Sequence, residues 1–275
     1  MDQPSICFIG GGNMARSLVG GLIADGYPAA RIRVTDPNAE KRRYLEERYG
    51  IATDTDNRAA ILGVAAVVLA VKPQTLRQVA EELGPALHDS GAVVISIAAG
   101  VREPDLRHWL GAELPIVRCM PNTPSLVQTG ATGLYANPQV REDQRSLAES
   151  LLRAVGLVQW LDEEAQLDSV TAVSGSGPAY FFLMMEAMED AGSRLGLPRE
   201  TARLLVLQTA LGAAKMALES QEDTKTLRRR VTSPGGTTER AIDTLEDGDL
   251  RNLVEQAMRA AARRAGELGD ELGAQ

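Results

Sequence analysis

Short apolar runs alternate with amphipathic segments from the start of the chain to about residue 162. Between the runs, apolar positions recur at helical spacing, as at residues 74–87 and 141–155. Strands that are apolar at nearly every position are covered on both faces. The alternation therefore predicts a doubly wound, mainly parallel α/β sheet domain over residues 1–162. The predicted strands are residues 5–9, 31–35, 65–71, 93–97, 116–119 and 157–161.

The pattern changes after residue 163, where alanine and leucine recur at helical spacing and no strand pattern is found. Glycine and proline at residues 196–198 and 233–236 interrupt the helical pattern. The sequence therefore predicts a second, all-α domain over residues 163–275. Its predicted helices are residues 180–195, 201–219, 237–245 and 250–272.

One of these predicted helices, at residues 201–219, is apolar on nearly every side. Such a helix must be buried on nearly every side. The other helices of so small a domain can cover only one or two sides of it, which leaves an apolar surface for a second subunit. We therefore expect self-association through this domain, as a dimer or a multiple of dimers. The alternative is a monomer that packs this helix at the centre of its own bundle.

The formal net charge of −8 argues against nucleic acid or a membrane surface as a partner, because both are polyanionic. Short basic runs at residues 41–43 and 228–230 are typical of solvated helix faces. The opening residues lack the basic segment of a secretory leader, and apolar stretches such as residues 92–99 are too short to cross a bilayer. The sequence thus predicts a cytoplasmic protein.

Cysteine and histidine give no sign of a metal site. Cys7 and Cys119 lie in apolar, strand-like surroundings, which favours two buried thiols over a disulfide or a metal pair. His88 and His108 have no cysteine or carboxylate at ligand spacing. We therefore expect no metal.

The first predicted strand runs into a glycine-rich turn and then a helix, which is the order of a dinucleotide-binding unit. Gly10 allows the tight turn, Gly12 lets backbone N–H groups approach a pyrophosphate, and the small Ala15 lets the helix pack on the strand. An ordinary strand-to-helix turn is the alternative. The cofactor contacts predicted here are Ile9, Gly10, Gly11, Gly12, Asn13 and Met14.

The second predicted strand ends at Asp36, near the position where Rossmann-type folds place the residue that binds the adenosine ribose. An aspartate there accepts hydrogen bonds from a free ribose and repels a 2′-phosphate, so the choice between NADH and NADPH stays open. The residues close enough in such a fold to offset the repulsion are Thr35, Asn38, Lys41 and Asn57.

Three further strand ends carry small residues, proline or asparagine, at residues 70–73, 96–100 and 118–124. Ligands of open α/β sheets bind outside the carboxyl ends of the strands, so these segments are candidates for one binding edge. The small residues of the second would let a flat nicotinamide approach the backbone. Each segment could also be a rigid turn. The cofactor contacts predicted here are Ala70, Val71, Lys72, Pro73 and Ala98.

Two glycine-rich segments, at residues 172–180 and 232–238, precede helices of the second domain. A glycine turn ahead of a helix presents unpaired N–H groups and the positive end of the helix dipole, which can bind a carboxylate without a basic side chain. The alternative for each is an ordinary helix cap with a glycine turn.

Together, these segments resemble the pyrroline-5-carboxylate reductase family almost from end to end. The resemblance implies hydride transfer from NADPH, or else NADH, to the C=N carbon of a cyclic imine acid, which gives L-proline. It also implies dimers whose C-terminal helices interlock. The segments that carry it are residues 8–15, 70–73, 118–124, 174–180 and 233–238, followed by residues 241–246.

The resemblance also implies a substrate site. In it, Thr238 is the catalytic group that faces the imine nitrogen, the turn at residues 233–238 holds the substrate carboxylate, and Asn57 contacts the cofactor. The substrate-binding residues implied are Ser176, Ser233, Gly235, Gly236, Thr237 and Thr238.

The chemistry of an imine agrees with the residues present. Reduction of a carbonyl requires an acid for the developing alkoxide, whereas a protonated imine already carries its proton. The predicted helix at residues 180–195 contains no lysine. This counts against a 3-hydroxyacid dehydrogenase, whose family has a catalytic lysine on the corresponding helix. A dinucleotide sensor without turnover is the other alternative, and it would not need the glycine-rich segments of the helical domain.

Overall fold

The computed structural model describes residues 3–274, which form two compact units. The first contains residues 3–176 together with residues 261–274, and the second contains residues 177–260. The predicted domain boundary after residue 162 follows the last strand, whereas the chain leaves the first unit at residue 176. The exact limits of the two domains stay a prediction.

The first unit is built on one sheet of eight strands. The strands are β1 Ile6–Ile9, β2 Ile32–Thr35, β3 Ala52–Asp54, β4 Ala66–Leu69, β5 Val93–Ser96, β6 Ile116–Met120, β7 Gly130–Ala136 and β8 Gly156–Trp160. They lie in the order β3-β2-β1-β4-β5-β6-β7-β8. Every neighbouring pair is parallel except β6 and β7. The predicted mainly parallel sheet is confirmed.

Helices of the first unit follow most of the strands. They are α1 Asn13–Ala24, α2 Ala39–Tyr49, α3 Asn57–Ala60, α4 Pro73–Leu87, α5 Glu103–Leu110, α6 Glu142–Arg153 and α7 Gln166–Val170. A π-helical turn, Thr171–Gly175, continues from α7. Short 3₁₀ turns lie at Ala29–Arg31 and Thr123–Val127.

Apolar side chains cover both faces of the sheet, and each face has its own core. In β1, Ile6 and Phe8 belong to one core, whereas Cys7 and Ile9 belong to the other. All four are at most 1% exposed. Full burial of a large aliphatic or aromatic side chain contributes about 1.5–3 kcal/mol, so a strand that is apolar at every position is stable only between two layers of helices. The doubly wound arrangement is confirmed.

Two strands, β3 and β7, are not predicted by the apolar pattern. β3 has only three residues and lies at the edge of the sheet. β7 consists largely of small residues because neighbouring segments approach it closely. A Cβ atom at Gly133 would lie 2.9 Å from the Val170 side chain. Close packing thus replaces the bulky β-branched side chains by which a strand is usually identified.

Both cysteines are buried free thiols, which confirms the prediction for them. Cys7 and Cys119 are 0% and 4% exposed. Burial raises the pKa of Cys7 to about 12, although Arg33 partly offsets the effect. Burial also raises the pKa of Cys119.

The second unit is helical throughout. Its helices are α8 Gly177–Arg194, α9 Arg199–Glu219, α10 Thr224–Arg230, α11 Thr237–Asp247 and the first part of α12 Leu250–Gly273, which ends in the first unit. The sequence pattern misses α10, a short helix rich in basic residues that the Asp223 side chain caps by accepting from the Thr226 amide. The helical C-terminal domain is confirmed. Within residues 3–274, no helix combines the length and the apolar composition that crossing a bilayer requires.

Candidate functional site

The order of the strands reverses at β1, which has β2 on one side and β4 on the other. Ligands of open α/β sheets bind beyond the carboxyl ends of the strands at such a point. Gly10 follows β1 with a φ of +104°, and a Cβ atom there would lie 2.7 Å from the carbonyl oxygen of Ala70, which follows β4. The Gly10 amide donates to the Thr35 carbonyl at 2.8 Å. Only glycine fits this position.

The N-terminus of α1 is open. Gly12 is its N-cap and offers no side-chain acceptor, and the first turn contains no acidic residue. A Cβ atom at Gly12 would meet no atom within 4 Å. The first amides of an α-helix have no acceptor within the helix, and the dipole adds partial positive charge there. The predicted cofactor residues Gly11, Gly12, Asn13 and Met14 therefore lie together around a helix start suited to a pyrophosphate.

Asp36 lies beside this turn and is only 5% exposed. Its Oδ2 accepts a hydrogen bond from the Gly11 amide at 2.9 Å and another from Lys41 Nζ at 3.0 Å. Its Oδ1 accepts from the Asn38 amide at 2.9 Å. Burial by itself raises the pKa of Asp36, but the amides of Asn38 and Gly11 and the charge of Lys41 lower it below its usual range. The carboxylate is thus ionised and connects the glycine turn, the end of β2 and the start of α2.

Thr35 and Asn57 meet at the same edge. Thr35 Oγ1 donates to Asn57 Oδ1 at 2.6 Å, and Asn57 Nδ2 donates to Glu82 Oε2 at 3.4 Å. Asn57 is the first residue of α3, which the Asp56 side chain caps through the Ala59 amide. These contacts fix the orientation of the Asn57 amide beside Asp36.

The ends of β4 and β5 supply the remaining predicted cofactor contacts. Lys72 is exposed and is the N-cap of α4, whose first residue is Pro73. Ala98 is 6% exposed, and its amide donates to Ser96 Oγ at 3.4 Å. Gly100 has a φ of +81°. The residues from Ala98 to Gly100 thus carry small side chains or none, and Leu268 and Leu272 of α12 lie close to Gly100.

A charged cluster at the end of β6 is missed by the sequence analysis. Arg118 is 8% exposed and donates to Glu164 Oε1 at 2.5 Å, and the Glu103 amide donates to the same oxygen at 2.6 Å. Asp168 lines a small cavity of about 40 Å³ with Arg118 and Ala98. Burial raises the pKa of Asp168, although the charges of Arg118 and Arg102 partly offset this. Arg118 interrupts the otherwise apolar residues of β6, and a charged side chain at such a position was the available sign that buried acidic partners exist.

The segment before α8 is not the open turn that its glycines predict. The Ser176 amide donates to the Thr171 carbonyl at 2.8 Å, in the hydrogen-bond pattern of a π-helix. Asn122 holds this segment, because its Nδ2 donates to the Ser174 carbonyl at 3.0 Å and its Oδ1 accepts from the Ala131 amide at 2.9 Å. Ser176 is thus the half-buried last residue of the first unit, with its amide already paired.

The segment before α11 is a true turn, in the second unit. Gly235 has a φ of +72°, and the Gly236 amide donates to the Ser233 carbonyl at 3.0 Å. The Gly235 amide donates to Glu239 Oε2 at 2.7 Å. The contact of Glu239 is not among the predictions from the sequence, although a glutamate three residues after an N-cap has the spacing of a capping box. Two of the turn amides predicted to bind the substrate therefore already have acceptors.

The amides that begin α11 have no side-chain cap. Gly236 is the N-cap and has no side chain, so Thr237 and Thr238 present their first-turn amides without an acceptor from the N-cap. Thr238 is half-buried. The turn at residues 233–238 thus brings hydroxyl groups and free amides together on one helix start. Among the described residues, no group of three or more His, Cys, Asp and Glu side chains is arranged to hold a metal ion.

Models of two protein families match different parts of the chain. A model described as pyrroline-5-carboxylate reductase dimerisation matches residues 164–268. A model described as NADP oxidoreductase coenzyme F420-dependent matches residues 5–100.

Known proteins match the chain over nearly its whole length. It is 55% identical to the pyrroline-5-carboxylate reductase of Pseudomonas aeruginosa, over 99% of this chain and 100% of that protein. It is 46% identical to the enzyme of the same name from Pasteurella multocida, over 98% of each.

Two solved structures show the same fold. A pyrroline-5-carboxylate reductase from Coxiella burnetii matches with a TM-score of 0.94 and 54% identity, over 96% of this chain and 98% of that one. The pyrroline carboxylate reductase of Plasmodium falciparum, solved with NADP bound, matches with a TM-score of 0.85 and 29% identity, over 98% and 99% of the two chains.

We expect the substitution Gly12→Ala to leave folding intact and to impair dinucleotide binding. The added methyl group has free space in the protein, so the free energy of unfolding should change by less than about 1 kcal/mol. The same methyl group would occupy the approach of a pyrophosphate to the start of α1. The dissociation constant for NADPH, measured by fluorescence titration, should rise about tenfold or more.

The matched substitution is Gly10→Ala, which should lower the free energy of unfolding as well as cofactor binding. Its Cβ atom would lie 2.7 Å from the Ala70 carbonyl oxygen at a positive φ. Thermal unfolding should distinguish the two variants, because only Gly10→Ala is expected to lower the melting temperature. Wild-type affinity for NADPH in Gly12→Ala would show that the cofactor does not approach this turn.

Proposed function

The chain belongs to the pyrroline-5-carboxylate reductase family, and from this membership we propose how its own residues carry out the reaction. The protein is an NAD(P)H-dependent oxidoreductase that transfers hydride to the C=N carbon of L-1-pyrroline-5-carboxylate and forms L-proline, the last step of proline biosynthesis. The observation that carries this conclusion is the match to these reductases over nearly the whole chain. The expectation drawn from the five segments of the sequence is confirmed.

The cofactor is NADP(H), and the residues at the ends of β1 and β4 suit a dinucleotide. When bound, the reduced nicotinamide supplies the hydride. We propose that the amides after Gly12 bind the pyrophosphate, because the start of α1 is uncapped and a Cβ at Gly12 has free space around it. Thr35 and Asn57 would orient the adenosine half, and the small residues around Ala98 would leave room for the nicotinamide.

The substrate site is proposed on the turn at residues 233–238. The substrate is an anion, and the amides of Thr237 and Thr238 are donors at the positive end of α11. Ser233, Gly235 and Gly236 are proposed to shape this turn, since the last two amides are already bonded to Glu239 and Ser233. Ser176, in the first unit, is proposed as a substrate contact from the family resemblance, and its hydroxyl group is the group left for that contact because its amide is paired within the π-helical turn.

Thr238 is proposed as the catalytic residue. The imine nitrogen is protonated before hydride arrives, so the chain need only orient that nitrogen and keep its proton in place. A threonine hydroxyl can accept a hydrogen bond from the iminium N–H or donate one to the amine that forms. A carbonyl-type acid is not needed, and α8 contains no lysine.

The match to the dimerisation model supports self-association, and we propose a dimer or a multiple of dimers. In the single chain, large apolar side chains of α9 are exposed: Leu204 is 57%, Leu211 62% and Met216 57% exposed. An apolar surface of this kind on a soluble chain marks an interaction site.

We also propose the cytoplasm as the compartment. The reaction consumes a reduced nicotinamide cofactor, and Cys7 and Cys119 are kept as free thiols rather than as a disulfide.

The activity is tested by following the loss of reduced-nicotinamide absorbance with pyrroline-5-carboxylate as substrate. We expect oxidation of NADPH that depends on the imine and forms proline in equal amount. A 3-hydroxyacid with the oxidised cofactor serves as the control and should give no turnover. Binding of NADPH without imine-dependent oxidation would instead favour a dinucleotide sensor without turnover.

We expect Thr238→Ala to lower kcat about ten- to a thousand-fold, as removal of a positioned hydrogen-bonding group does. Thr238→Ser keeps the hydroxyl group and should retain most of the activity. Thr244→Ala is the matched control on α11, because the Thr244 hydroxyl only donates to the Arg240 carbonyl at 2.9 Å. Equal kinetics for Thr238→Ala and Thr244→Ala would remove Thr238 from the mechanism.

We expect light scattering at micromolar concentration to give a mass that is an even multiple of the 29.4 kDa chain. Replacement of Leu211 by glutamate should shift the mass towards that of one chain, because a charge would then lie in the buried contact. A fully active species with the mass of a single chain would contradict the dimer.

A further inference from the structure

The acidic residue that follows β2, Asp36, disfavours binding of NADP(H). An acidic side chain at this position normally favours the free ribose of NAD and repels the 2′-phosphate of NADP. Asp36 occupies it here, yet the cofactor is NADP(H). We propose that Lys41 is the specificity-determining residue that resolves this conflict: it neutralises Asp36 in the free protein and receives the 2′-phosphate when NADPH binds. The proposal rests on the cofactor assignment made above.

The Asp36 carboxylate is held in place by the main chain. Two of its three hydrogen bonds come from backbone amides, those of Gly11 and Asn38, both at 2.9 Å. The Asp36 carbonyl accepts a further bond from Arg42 Nη1 at 2.6 Å, and the Asp36 amide donates to the Asp54 carbonyl at 3.2 Å. Asp36 therefore cannot turn away from an approaching phosphate without disturbing the glycine turn. Its role is to position the Gly11 amide, and its charge must be balanced by a neighbour.

Lys41 is the partner that is free to move. Its side chain is 40% exposed, against 5% for that of Asp36. Only its amide is fixed, because Asn38 Oδ1 accepts from it at 3.1 Å and so caps the first turn of α2. The lysine ammonium is a compact charge on a flexible stem with three donors, and one of these donors is used by Asp36 Oδ2 at 3.0 Å. It can contact a phosphate while it remains near the carboxylate.

The other charged side chains near the glycine turn and the end of β2 bond main-chain groups rather than the Asp36 carboxylate, and Arg16 is among them, because its Nε donates to the Gly11 carbonyl at 3.2 Å. Arg42 donates to the Asp36 carbonyl and so is bound to the main chain. Asp54 Oδ1 accepts from the amides of Thr55 and Asp56. Without Lys41, a 2′-phosphate would therefore approach a buried, ionised carboxylate whose remaining partners are uncharged amides.

The test uses two small probes that differ only in the phosphate in question, 2′,5′-ADP and 5′-AMP. Their binding to the full-length protein is measured by calorimetry. We expect Lys41→Gln to weaken binding of 2′,5′-ADP at least tenfold and to change that of 5′-AMP less than about threefold. Lys41→Arg, which keeps the charge, should restore most of the preference for the phosphorylated probe. Added salt should narrow the difference between wild type and Lys41→Gln.

Two further variants separate this role from a structural one. Arg43→Gln removes the same charge from an exposed position of α2 and should leave the affinity for both probes unchanged. Asp36→Asn removes the charge that repels the 2′-phosphate and disturbs the contact with the Gly11 amide, so it should weaken binding of 5′-AMP and raise the affinity for 2′,5′-ADP relative to 5′-AMP. If Lys41→Gln weakened the binding of both probes equally, or left the binding of both unchanged, the proposal would be overturned. If the wild-type protein bound 2′,5′-ADP no more tightly than 5′-AMP and reduced the imine with NADH but not with NADPH, the assignment of NADP(H) would be overturned instead.

Discussion

Two helices that carry proposed binding residues, one in each unit, begin without a side-chain cap, and both proposed binding roles depend on this feature. α1 begins after Gly12 and α11 begins after Gly236, so neither N-cap can offer a side-chain acceptor to the first-turn amides. Relative to glycine, a capping serine, threonine, aspartate or asparagine stabilises a helix by only a few tenths of a kcal/mol. The free chain lacks that stabilisation at both positions. An anion that binds at either helix start supplies the missing acceptor, so binding and helix stability are coupled.

The two helix starts are built alike, although they lie in different units. In each, a carboxylate of the chain accepts from the amide of a glycine in the turn: Asp36 from Gly11 at 2.9 Å, and Glu239 from Gly235 at 2.7 Å. Each carboxylate fixes one amide of a turn that glycine would otherwise leave mobile. The amides that follow are thereby oriented before a ligand arrives, which reduces the ordering cost of binding.

Features that depend on neighbours in sequence were predictable, and those that depend on distant partners were not. The strand–glycine–helix order at β1 and α1 follows from a local pattern, and so do the apolar strands of the sheet centre. The position of Asp36 could be predicted, but its partners could not, because only the fold brings the Gly11 amide to its carboxylate. The glycines before α8 predict an open turn, whereas the segment is helical and Gly175 allows a neighbouring side chain to pack against it. A Cβ atom there would lie 2.7 Å from Met120 Cε, so this glycine permits close contact rather than a turn.

The buried cysteines determine how the protein responds to an oxidising environment. Burial raises the pKa of the Cys7 thiol to about 12, so very little of it is ionised at neutral pH, and the thiolate is the form that oxidants and alkylating reagents attack. Cys119 is equally shielded within β6. Neither cysteine is therefore suited to act as a redox switch. In the single chain, the sulfur atoms that oxidants can reach are instead those of exposed methionines such as Met184, Met188 and Met216, which lie in helices of the second unit.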